Sequence, residues 1–144
     1  MRRRYALGAV RQNADVRRRY MRPARFTDDD LVAGYLASIA EGGGDTPSFW
    51  AWEEVTELIG TDPERAWRLT VQLVRQSNND LVLAAVAAGP LEDLLAWSGA
   101  QFIDRAEALV LSELKFREAL TMIYTSRLEP EIRRRVERAI NGNA

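Results

Sequence analysis

Apolar residues recur at helical spacing in segment after segment of this chain, and no stretch alternates as a half-buried strand does. Thr27 followed by Asp28, Asp29 and Asp30 supplies a capping hydroxyl and an acidic first turn. This predicts a helix to about Glu41, with Leu31, Tyr35, Leu36 and Ile39 on its apolar face, before Gly42-Gly43-Gly44-Asp45 breaks the pattern. Thr46-Pro47 opens a second helix, striped by Phe49, Trp52, Val55, Leu58 and Ile59 and ending at Gly60. Asp62, Pro63 and Glu64 open a third, carrying Ala66, Trp67, Thr70, Leu73 and Val74 as far as Ser77-Asn78-Asn79. Asp80 caps a short, nearly all-apolar helix, Leu81 to Ala88, which is expected to be the central and most enclosed element.

The densest local specification follows, in Ala87 to Leu95. Gly89 can close one helix, Pro90 suits the first position of the next, and Leu91, Glu92 and Asp93 form a first turn whose two acids face exposed N–H groups. A sharp corner between two helices is expected there. Leu91 to Trp97, Phe102 to Leu111 beyond a break at Ser98-Gly99, Glu113 or Lys115 to Ser126, and Glu129-Pro130-Glu131 to Asn141-Gly142 complete about eight helices. Short connections predict an all-α fold of stacked antiparallel helix pairs, either short and α-solenoid-like or a compact orthogonal bundle. Residues 26–140 read as a single helical domain, and residues 1–25 as an arm that is either disordered or helical.

Composition narrows the chemistry. The 144 residues include no histidine and no cysteine, which removes the usual general base, the thiolate nucleophile, disulfides and the commonest metal ligands. Carboxylates, hydroxyls, arginines and the single lysine, Lys115, remain. The chain is therefore expected not to be an enzyme and to need no metal or cofactor. The longest purely apolar run, Leu81 to Ala88, is far short of a membrane span, and the N-terminal residues lack a signal-peptide core, so a cytoplasmic protein without a membrane partner is expected.

Charge is divided unevenly. Residues 1–25 hold nine arginines and one acid, Asp15, for a net +8, whereas residues 26–144 carry eleven basic residues against twenty acids, a net −9. Within the arm, Arg2-Arg3-Arg4-Tyr5 is echoed by Arg17-Arg18-Arg19-Tyr20, the mixture of guanidinium groups and aromatic rings that tracks phosphates and stacks on bases. The arm also fits a tail lying upstream of a start at Met21.

Several residue sets deserve a place on a candidate map. Glu92 and Asp93 with Asp104 and Glu107 form an acidic cluster if their helices fold back on each other; the stronger expectation is a buried Glu92 bonded to backbone N–H groups or to an arginine such as Arg65 or Arg105. Glu53 and Glu57 stand one helical turn apart and read as solvated charge. Gly42-Gly43-Gly44 precedes a helix start but is followed by no lysine, and Asp45 repels an anion, so the glycines read as a linker. Tryptophans at helical spacing are mainly core, with Trp50 the one expected at a partner surface beside Glu53, Glu54 and Glu57.

Ala51-Trp52-Glu53, Asp62-Pro63-Glu64-Arg65-Ala66-Trp67, Ala87 to Leu95, Phe102-Ile103-Asp104 and Phe116-Arg117 with Leu120 together resemble a bacterial domain family with no assigned function. The likeness covers roughly residues 50–125 and implies an all-helical domain, without a reaction or ligand. Members often carry a histidine before the glycine matching Gly99, where this chain has Ser98. The leading expectation is a non-enzymatic helical interaction module, of adaptor or immunity-inhibitor type, whose acidic body binds another protein. A nucleic-acid-associated protein using the arm, and a carboxylate-dependent enzyme, are the alternatives.

Overall fold

The computed structural model describes residues 22–142, and among these the regular structure is entirely helical. Its elements are α1 (Asp28–Glu41), α2 (Phe49–Thr61), α3 (Pro63–Gln76), α4 (Asp80–Val86), α5 (Glu92–Ser112), α6 (Leu114–Thr121) and α7 (Pro130–Asn141). A π-turn, Ala87–Leu91, joins α4 to α5, and a 3-10 turn, Thr125–Arg127, lies between α6 and α7. The described residues fall into two compact units that divide after Glu54, inside α2.

In the first unit, Thr27 accepts from the Asp30 N–H while Asp30 accepts from the Thr27 N–H, a reciprocal cap that fixes the start of α1. Leu31, Val32 and Tyr35 are buried. The expected stripe of α2 is corrected in one respect: Ala51 is the fully buried position and Trp52 is exposed, stacked on Phe49 at 5.0 Å. The reason is a close approach of small residues, since a Cβ on Gly34 would come within 2.7 Å of the Ala51 Cβ. A tryptophan has no room in such a contact.

The second unit is built around the rod from Asp80 to Ser112. Here the chain bends at the expected Gly89-Pro90 corner: α4, the π-turn and α5 follow one another without a loop over 33 residues, as two helices joined across a kink at Gly89. The expected eight helices are not found as separate elements: with this kinked element counted once, the described residues form six. Pro90 has no N–H to give, and its ring would press on the carbonyl of Val86, so the ladder cannot pass at its normal spacing. It is rerouted instead: the Glu92 N–H reaches back to the Ala87 carbonyl, five residues away, and Gly89 adopts φ −94°, ψ −106°. Gly89 therefore marks the kink between two helices. The expected break at Ser98 is a second kink (φ −132°, ψ 31°), again between two helical stretches.

By length and composition the rod could cross a membrane, and 44% of its most apolar window is buried inside the protein. It packs against α3, α6 and α7. Enclosure is greatest from Ala87 to Leu95, not in Leu81 to Ala88 as expected: Leu81 is 79% exposed, whereas Leu91, Leu94 and Leu95 are buried. Trp67 of α3 stacks on Phe102 of α5 at 5.0 Å and meets the edge of Phe116 of α6 at 5.9 Å. On the other side, Gly99 admits α7, since a Cβ there would lie 2.9 and 3.0 Å from two carbons of the buried Ile132.

The two helical glycines of this unit make opposite predictions. Gly99→Ala should destabilise by about 1–3 kcal/mol, because Ile132 must shift in a packed site. Gly60→Ala, with nothing within 4 Å of the added carbon, should stabilise by about 0.5–1 kcal/mol. Urea denaturation of both variants checks this, and a stabilised Gly99→Ala would refute the close approach.

Candidate functional site

The four acids singled out on α5 are separated along the helix, each pair held by its own arginine. Glu92 is 3% exposed; one of its carboxylate oxygens accepts the Tyr124 N–H at 2.6 Å and the other accepts from Arg127 at 2.5 Å. Asp93 accepts from the same guanidinium at 2.8 Å. The expectation of a buried Glu92 bonded to an N–H and an arginine thus holds in kind, with Arg127 in place of Arg65 or Arg105. Arg105 instead forks onto Glu64 at 2.5 and 2.7 Å. Twelve residues beyond Glu92, about 18 Å along an ideal helix, Asp104 accepts from Arg135 of α7 at 2.5 Å and Glu107 is bonded to the same arginine. Hydrogen bonds from these carboxylates raise the pKa of Arg127 (Glu92 first, then Asp93) and of Arg135 (Glu107 first, then Asp104), so all four acids act as counter-ions that tie α5 to the α6–α7 connection and to α7.

Glu54 pairs with Arg22 at 2.6 Å, and among the described residues no group of three potential ligands could hold a metal ion. Gly42, Gly43 and Gly44 all have left-handed φ values of 92°, 70° and 65°, and the Glu41 carboxylate takes both the N–H and the hydroxyl of Ser48 across this loop. Those bonds, the backbone one first, hold the Glu41 pKa below the ordinary carboxylate range. An anion site before α2 is thereby blocked by an anion of the chain itself. Trp50, expected at a partner surface, is half-buried, with Phe26 at 5.2 Å and Gly34 beside its ring. Arg2, Arg3, Arg4, Tyr5, Arg17, Arg18, Arg19 and Tyr20 lie outside the described residues.

The structure instead draws attention to a groove of about 290 Å³ at the Ser98 kink. Trp97, Ser98, Gly99 and Gln101 of α5 line it, with Glu129 and Ile132 from the start of α7. Trp97 is 66% exposed. Glu129 occupies the N-cap position of α7, yet its side chain makes no capping hydrogen bond. No basic side chain lines the groove, so an indole face, a hydroxyl, an amide and a carboxylate suit a cation or a hydrogen-bond donor. A signal for Trp97 existed in the chain: it lies two residues after Leu95 and two before Gly99, hence on the helix side opposite the buried stripe.

Two outcomes follow from the ion pairs. Glu92→Ala should cost about 1–3 kcal/mol, because the Tyr124 N–H loses its acceptor, whereas Glu92→Gln, which keeps an acceptor there, should cost less; urea titrations compare the two. The Arg105 hydrogen bond lowers the pKa of Glu64, so its contribution is complete above the ordinary carboxylate range and is lost as pH falls through the lowered value. Glu64→Gln should be less stable than the native chain at pH 7, with the difference closing as pH falls through the lowered Glu64 pKa. A difference independent of pH would remove the ion pair as its cause.

Residues 39–144, well over half of the chain, match the model of a family of unknown function, DUF6869. This span encloses the region in which the resemblance was read. No curated protein and no solved structure matches the chain.

Proposed function

We propose that this chain, which belongs to the DUF6869 family of unknown function, is a non-enzymatic helical module that binds a basic protein. The observation that supports this best is the disposition of its carboxylates. In the second unit Glu64, Glu92, Asp93, Asp104, Glu107, Glu113 and Glu131 are each engaged by an arginine of the same unit, which leaves them stabilising the fold. Residues 26–54 hold seven acids and no lysine or arginine, and of these acids Glu54 pairs with Arg22. An imbalance that large raises the local concentration of cationic partners and speeds their association.

Within the second unit, Trp97, Tyr124, Leu111 and Leu114 are large apolar side chains more than half exposed, of the kind that recognition uses. An adaptor or an immunity-type inhibitor would use such a surface. A cytoplasmic location, helices stacked as antiparallel pairs and a partner role independent of the arginine-rich arm belong to the same proposal. The alternative, nucleic-acid binding through that arm, draws on its nine arginines.

Affinity isolation of the tagged full chain from its native cells decides between them. The proposal predicts one reproducibly recovered basic protein, retained by the Arg17→Ala, Arg18→Ala, Arg19→Ala triple variant and released as salt is raised. Recovery of no protein, or recovery of nucleic acid that the triple variant loses, would overturn it.

A further inference from the structure

We infer that the groove at the Ser98 kink receives an arginine side chain from a basic protein segment, its guanidinium lying on Trp97 and pairing with Glu129. The inference deepens the proposed function and rests on it.

The chain supplies its own precedents. Arg105 lies over the Phe102 ring at 5.4 Å while its guanidinium forks onto Glu64 at 2.5 and 2.7 Å. Arg22 lies over the Phe26 ring at 5.3 Å while it pairs with Glu54 at 2.6 Å. In both, an aromatic face and a carboxylate share one guanidinium, which is planar enough to stack and forked enough to be bound edge-on. Trp97 and Glu129 are the aromatic and acidic parts of the same arrangement, lining one groove that, among the described residues, no basic side chain lines. Glu129 is exposed, and among the described residues it forms no ion pair and no cap. Trp97 has most of its surface in solvent, and indole is the strongest of the aromatic rings for a cation.

The groove also discriminates. Ser98 and Gln101 offer hydrogen-bond acceptors to the remaining guanidinium N–H groups, and no positive group stands by to hold an anion. Lysine presents a compact, strongly hydrated charge that cannot fork onto a carboxylate while stacking, so arginine is favoured.

Calorimetric titration of the full chain with a synthetic arginine octapeptide tests this. Trp97→Ala and Glu129→Gln should each weaken binding at least tenfold and leave the melting temperature within a few degrees of the native chain, as both side chains are exposed. A lysine octapeptide should bind less tightly than the arginine one. Equal affinities in the native chain and both variants would overturn the groove assignment. So would a tenfold gain in peptide affinity on the Arg17→Ala, Arg18→Ala, Arg19→Ala change, or a dimer dispersed by Trp97→Ala, since the occupant would then be this chain's own arm or that of a second copy. If a cellular partner is recovered and binds Trp97→Ala and Glu129→Gln as well as the native chain, the groove fails while the interaction reading stands.

Discussion

A carboxylate as buried as Glu92 must find its hydrogen-bond partners inside the protein, and the places where it finds them tie the second unit together. Glu92 stands on the first turn after the Pro90 bend, where the helix has just changed its hydrogen-bond spacing. Its two oxygens reach the Tyr124 N–H and Arg127, at either end of the short turn that leads from α6 to α7. Arg133 of α7 then donates to the Thr125 carbonyl in the same turn. One side chain thus couples the bend in the central rod to the connection that starts the last helix.

That coupling also sets the conditions for a recognition surface. With the α6–α7 connection anchored at Glu92, and Asp104 and Glu107 holding Arg135 further along, α7 is fastened to α5 at two levels. Between them Gly99 allows Ile132 to come close, and the Ser98 kink opens a groove beside this contact. Trp97 and Glu129 are carried into that groove by helices whose relative position is already fixed. A rigid aromatic face beside a carboxylate loses little freedom on binding, which favours a site of this kind over one on a mobile loop.

Much of the helical pattern is legible in the chain because its signals are local. Thr27 and Asp62 cap helices within three residues as expected, Asn79 takes the cap expected of Asp80, and the buried stripe Ala66, Trp67, Thr70, Leu73 and Val74 of α3 follows from spacing alone. Gly89 and Pro90 are legible as a corner for the same local reason, and what spacing does not announce is the five-residue hydrogen bonding that carries the chain across the kink without a loop. Trp52 and Trp50 exchange their expected places because Gly34 approaches Ala51 too closely to leave room for a side chain, and no periodicity announces a contact between two small residues.

Of the candidate site, the structural role of Glu92 is legible in its burial between Leu91 and Leu94, while Arg127 is not, since it lies 35 residues away and several arginines compete for it. The groove is less legible still, because it exists only once α5 kinks and α7 arrives. Amide hydrogen exchange at Tyr124 tests the central constraint most directly. Tyr124 is 69% exposed as a residue, and its N–H donates to the Glu92 carboxylate. Exchange as slow as that of the core amides of Leu94 and Phe102, accelerated in Glu92→Ala, is the predicted result; exchange as fast as that of the exposed Gly42 to Gly44 loop would contradict it.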